Sequence, residues 1–194
     1  MAQDLHHMPE FVGWDRFTHT HMSALKLFLF YALPLSIVPP AMIYYAGSTY
    51  GGGAMLPAMS ETQLQVIGIV FYLSELVMTF VVAYVIQRLG EVIDIKPDFD
   101  DAYKLAVVVP TPLWLAPLFL FIPSLIVNLT AVAAALMLSG MLIFYTVPDI
   151  LKVEEKGHAI LLSGSILAAG TVAWAAMLYL TLISWSIITS SPLL

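Results

Sequence analysis

The sequence predicts an all-α, polytopic membrane protein with five transmembrane helices. Three observations predict it. Of the 194 residues, 60% are apolar and only 10% are charged, against roughly 25% charged in an ordinary soluble domain. The mean hydropathy is +0.92, and a soluble domain of about 150 residues still leaves roughly a third of its surface wet. So much apolar surface cannot be hidden from water. Finally, five separate stretches each reach the length of about 20 apolar residues needed to cross roughly 30 Å of hydrocarbon. They are too long and continuous for barrel strands of about 10 residues.

The elements follow in order. Residues 1–24 form a short cytoplasmic or interfacial segment, with Phe11, Trp14 and Phe17 among polar neighbours and Ser23 as an N-cap. Met1–Glu10 has no basic n-region, so no cleavable leader is expected and span one is kept as an anchor. Residues 25–190 are the five-helix membrane domain. Span one runs over Leu25–Ala46 and span two over Leu64–Ile86. The connection between them contains Gly51, Gly52 and Gly53. It follows no strand and lacks a GK[ST] continuation, which excludes a phosphate cradle. An acidic loop, Glu91–Asp101, leads to span three at Leu105–Ile126. It lacks the spacing of a calcium loop and reads as a solvated face, extended by Asp149, Glu154 and Glu155. A two-residue turn at 127–128 precedes span four, Leu129–Val147, and span five runs over Ile160–Ile188. Residues 191–194 are a short outer tail. Asn128-Leu129-Thr130 matches a glycosylation sequon, but sits in a turn at the membrane surface.

Charge sets the orientation. The seven basic residues are Arg16, Lys26, Arg88, Lys96, Lys104, Lys152 and Lys156. All fall in the N-terminal segment, the loop after span two or the loop after span four. Cytoplasmic loops collect Lys and Arg, so the N-terminus is expected in the cytoplasm and the C-terminus outside. An odd number of spans requires opposite sides independently.

Composition also excludes functions. A net charge of −6 with seven basic residues argues against nucleic acid. The absence of cysteine removes disulfides, thiolate metal sites and palmitoylation. No nucleophile–base–orienter set and no protease or kinase signature is visible, so the chain is not expected to be an enzyme and no cofactor is implied. His6, His7, His19, His21 and His158 all lie outside the spans. His19 and His21 are weak metal candidates, because an i, i+2 pair diverges on a helix.

Three groups of residues stand out within the spans. Glu75 is the one acidic residue deep in a span, where a charge costs roughly 2.5–3.5 kcal/mol on insertion scales. Helical spacing sets Gly68, Tyr72, Glu75 and Thr79 on one stripe, expected to face the bundle interior. It is either an intramembrane polar site, serving a relay or a partner contact, or a neutral carboxyl bonded to a Tyr, a Ser or a backbone carbonyl. Pro34, Pro39 and Pro40 in span one, and Pro110, Pro112, Pro117 and Pro123 in span three, each remove a donor and crowd the preceding turn. Both helices are expected to be kinked or broken, span three near Pro110–Pro117 with Trp114 wedged at the bend. Small residues, Ala131, Ala135 and Ser139 at steps of four in span four, and Gly164, Ala168 and Thr171 with Ser165, Ala169 and Ala173 in span five, permit close backbone approach. Packing within the chain is the expected use.

Two stretches carry a family resemblance. Tyr103–Pro123 reads YKLAVVVPTPLWLAPLFLFIP and Phe144–Gly170 reads FYTVPDILKVEEKGHAILLSGSILAAG. Thr111-Pro112-Leu113-Trp114-Leu115 is similar to the T-P-[LS]-[WF]-L element of span three in the Yip domain (Ypt-interacting protein) family. Tyr145 to Pro148 matches its Y-x-[GV]-[IVL]-P element, and Lys152–Gly170 its charged loop and small-residue fifth span. The chain most resembles the short bacterial inner-membrane branch. The D-L-Y-G-P motif of eukaryotic members is absent. The resemblance implies a non-enzymatic scaffold or accessory subunit in the lipid bilayer, bound to another membrane complex or to itself. The residues alone also leave open a small proton- or ion-linked transporter or channel using Glu75, and a lipid-handling protein.

Overall fold

The computed structural model describes residues 22–53 and 58–190. Phe11, Trp14, Phe17, His19, His21 and the 191–194 tail lie outside the described residues.

Five helical segments are long and apolar enough to cross a membrane: Ala24–Tyr50, Glu61–Val92, Phe99–Phe121, Leu125–Ile150 and Lys156–Ile188. They correspond one to one with the expected spans, and their ends correct several of them. Span three begins six residues early, at Phe99. The last three residues of the expected acidic loop therefore belong to its first turn. Asp98 is the N-cap, accepting the Phe99 N–H at 2.7 Å, and Asp100 and Asp101 follow it, where carboxylates complement the positive end of the helix dipole. Span three also ends early, at Phe121. The turn to span four is 122–124 rather than 127–128. Asn128 lies inside span four, its amide donating to the Ile122 and Ser124 carbonyls at 2.9 and 2.8 Å.

Ser23 sits at the N-cap of span one but makes no side-chain cap bond. Asp100 replaces it. Its Oδ1 accepts the Ala24 N–H at 2.8 Å, 76 residues away in sequence. Span two has the capping box its sequence allows, with Ser60 and Gln63 bonding each other's backbone N–H.

Spans one and three are interrupted where prolines cluster. Span one passes through a π-helical stretch, Phe28–Ala32, and a short helix, Leu33–Leu35, before resuming at Val38. Span three ends its first helix at Val108, resumes over Thr111–Leu115 and tightens to a 3₁₀-helix at Ala116–Phe121.

Each interruption leaves backbone groups needing partners, and a tyrosine from another span meets them. At the first, the Leu33 carbonyl accepts from the Tyr72 hydroxyl and from Ser36 Oγ, both at 3.3 Å. At the second, Thr111 Oγ1 donates to the Val107 carbonyl at 3.2 Å and contacts the Tyr31 hydroxyl at 2.7 Å.

Span two is the central strut, packing against the second half of span one, the first half of span three and span five. The core lies at one end of the bundle. Every residue from Ala102 to Val108 is buried there, the signature of a helix surrounded on all sides. Leu27, Ala83, Ile86, Val147, Ile150 and Leu162 pack around it. Lys104 was assigned to a loop, yet it is only 1% exposed. Asp101, one turn earlier, supplies an opposite charge. The opposite end is tied by the Gln63 amide donating to Ile188 O at 3.3 Å and the Tyr50 hydroxyl donating to Phe121 O at 3.2 Å.

Candidate functional site

Between the core and the opposite end, spans two, three, four and five enclose a cavity of about 340 Å³. Its formation follows from the broken third span. A 3₁₀-helix winds more tightly than an α-helix, and prolines at 110 and 117 deny it a continuous ridge against its neighbours. Small residues on spans four and five, Gly140, Gly170 and Ala173, line the remaining space.

Glu75 of span two projects a carboxyl oxygen into this region. Its Oε2 is shut off from the surface and has no hydrogen-bond partner among the described residues. No Tyr, Ser or backbone group among the described residues bonds Oε2. The indole of Trp114, from span three, lies within interaction reach of the carboxyl instead. Trp114 is buried, with its ring 6.5 Å from that of Tyr31.

The other residues of the predicted stripe diverge from Glu75. Tyr72 is committed to the Leu33 carbonyl in span one. Thr79 lines the cavity wall, but its hydroxyl is occupied by the Leu76 carbonyl at 2.7 Å and the Tyr103 hydroxyl at 3.2 Å. Tyr103 is itself fixed between Phe80 and Phe99, at centroid distances of 4.9 and 6.1 Å.

Of the prolines, Pro39, Pro110 and Pro117 line the cavity. Pro40 packs close to Gly68, where an added Cβ would meet Pro40 at 3.7 Å. Pro112 borders a second, more open groove of about 460 Å³ on the other side of span three, shared with Ala131 and Ala135.

The small-residue stripes separate. Ala135 and Ser139 of span four are buried. Ser139 lines the main cavity, and its Oγ is the second lining atom without a partner. The expectation for span five needs correction. Ala168 and Thr171 are exposed on the bundle surface, and a Cβ added to Gly164 would meet nothing within 4 Å. The buried residues of that helix include Ala159, Leu162, Ser163, Ile166, Met177 and Ile188. Span five is apolar all round; Leu162 and Ile166 fill the contact with the core, while Ala168 faces outward and Gly170 and Ala173 turn to the cavity.

No cluster of three or more His, Asp or Glu able to hold a metal occurs among the described residues. His158 stands in the first turn of the last helix, paired with Glu155 at 3.0 Å.

The fold defines a multi-pass integral membrane protein with five candidate spans and a polar atom buried beside the cavity between them. The model of the Yip1 domain matches residues 11–177, and the chain belongs to that family. No curated protein matches it, and neither does any solved structure.

Proposed function

We propose that this Yip1-family protein is a non-enzymatic membrane scaffold or accessory subunit, which associates with another membrane protein complex or with itself. The observation that carries this reading is the outward face of span five. Gly164 and Ala168 form a small-residue step in which Ala168 is exposed and a Cβ on Gly164 would meet nothing within 4 Å among the described residues. In a bilayer, helix pairs are held by close van der Waals packing, which such steps permit. The exposed acidic residues Glu91, Asp94, Glu154 and Glu155, at the core end of the bundle, provide a second surface for a soluble or membrane partner.

The same reading sets the protein in a bacterial inner membrane with its N-terminus in the cytoplasm. The distribution of Lys and Arg supports this, since all seven fall near the start of span one or in or near the loops after spans two and four. The test is extraction of the full chain from its own membranes in mild detergent, with the co-purifying species identified by mass. A stoichiometric partner or a homo-oligomer is expected. A lone monomer would refute it.

A further inference from the structure

We infer that the cavity beside Glu75 is a binding site for a neutral, single-hydroxyl amphiphile dissolved in the bilayer, a long-chain alcohol, taken up through the gap between spans four and five.

The polar inventory of the cavity limits the ligand. Three buried side-chain polar atoms have no hydrogen-bond partner among the described residues: Glu75 Oε2, Ser139 Oγ and Ser163 Oγ. The first two line this one cavity. Thr171, also on its wall, is already bonded to the Leu167 carbonyl at 2.8 Å, as Thr79 is to Leu76. A buried polar atom without a partner costs about 1–3 kcal/mol, so two in one space mark a group that is to be met there. A hydroxyl both donates and accepts, which suits a carboxyl and a serine hydroxyl together.

The remaining wall is apolar, so the rest of the ligand is hydrocarbon. The volume of about 340 Å³ is more than twice that of an engineered apolar cavity of about 150 Å³ that holds a benzene ring. It accepts a chain segment or a fused ring pair rather than a whole phospholipid.

Depth narrows the class further. Glu75 stands near the middle of span two, Glu61–Val92. A phosphate or ammonium head at that depth would carry the cost of a charge in hydrocarbon. An alcohol would not.

Access is lateral. Leu136 of span four and Leu178 of span five form part of the cavity wall and are also exposed on the outer surface, at 37% and 43%. The cavity therefore borders hydrocarbon at this wall, so the ligand arrives from the membrane and not from water.

The test uses the full chain in phosphatidylcholine nanodiscs and two photoreactive probes, a diazirine-bearing dodecanol and the matching dodecane without the hydroxyl. Cross-linked peptides are read by mass spectrometry. The alcohol is expected to label the peptides carrying Trp114, Gly140 and Trp174 saturably, at least five-fold more than the alkane, and to be displaced by unlabelled dodecanol. Two variants are expected to lose the labelling by five-fold or more. Glu75→Leu removes the polar contact. Gly170→Leu adds bulk at the cavity wall, at a position where a Cβ meets nothing within 4 Å. Equal labelling by alcohol and alkane would overturn the proposal by making the space a non-selective apolar pocket. Absence of saturable labelling would overturn it by leaving water as the only occupant. Should both variants fail to fold, the comparison of the two probes on the wild-type chain still decides.

Discussion

The hydroxyls of Tyr31 and Thr111 lie 2.7 Å apart and join the two proline-broken helices. Direction follows from valence. Thr111 has one hydroxyl hydrogen and donates it to the Val107 carbonyl, so Tyr31 is the donor to Thr111. Span one thus stabilises the break in span three, while Tyr72 of span two stabilises the break in span one. The interruptions are built into the packing, and a continuous third span would close the space beside Glu75.

Tyr31→Phe and Thr111→Val should each lower thermal stability in detergent, and the double variant should lose less than the sum. Interhelical hydrogen bonds in membranes average about 0.6 kcal/mol, with a ceiling of about 1.7. A double-mutant cycle giving a coupling energy within that range supports the relay. Strict additivity would contradict it.

Asp100 should matter more than an exposed loop carboxylate. It caps the first helix from the start of the third, and loss of an N-cap costs about 0.5–2 kcal/mol. Asp100→Ala is expected to fall in that range, whereas Glu154→Ala, at an exposed position, should lose less than Asp100→Ala. Chemical denaturation of the two variants side by side provides the check. Equal losses would refute the cap.

Two glycines should behave in opposite ways. A Cβ on Gly90 would stand 2.5 Å from Cγ and 2.7 Å from Cδ of the Pro97 ring, which cannot rotate away. Overpacking of this kind costs about 1–3 kcal/mol. Gly164→Ala meets open space and should leave the monomer's stability within about 0.5 kcal/mol. Thermal melts of both variants test the contrast.

Glu75→Leu should stabilise the protein in the absence of ligand, because it removes an unpartnered buried oxygen that costs about 1–3 kcal/mol. Destabilisation by the same amount would mean that the carboxyl holds the bundle together.

Orientation can be read without background, because the chain has no cysteine. Ala58→Cys and Glu154→Cys both replace exposed residues. A membrane-impermeant maleimide added to intact cells should label the first and not the second. The reverse pattern would invert the topology.

The sequence shows the spans because a run of apolar residues long enough to cross a bilayer is a local property. It misplaces the ends of span three for a physical reason. Lys104 reads as a loop cation, yet it is enclosed by other helices, and burial by neighbours leaves no mark in a hydropathy run. Glu75 stands out by its type and depth, but its neighbour Trp114 is 39 residues away. Tyr72, one turn from Glu75 on the same helix, turns instead to span one. The Gly164–Ala168 step is visible as a pattern, but span five is apolar all round, so periodicity cannot say which side packs. Only the placement of Leu162 and Ile166 against the core shows that this step faces out.

The central claim is that this outward face holds a partner. Native mass spectrometry of the full chain, extracted from its own membranes as wild type and as Gly164→Leu, tests it most directly. The account predicts a stoichiometric complex or homo-oligomer for the wild type and a monomer of undiminished stability for the variant. A wild-type monomer, or a complex untouched by the leucine, would contradict it.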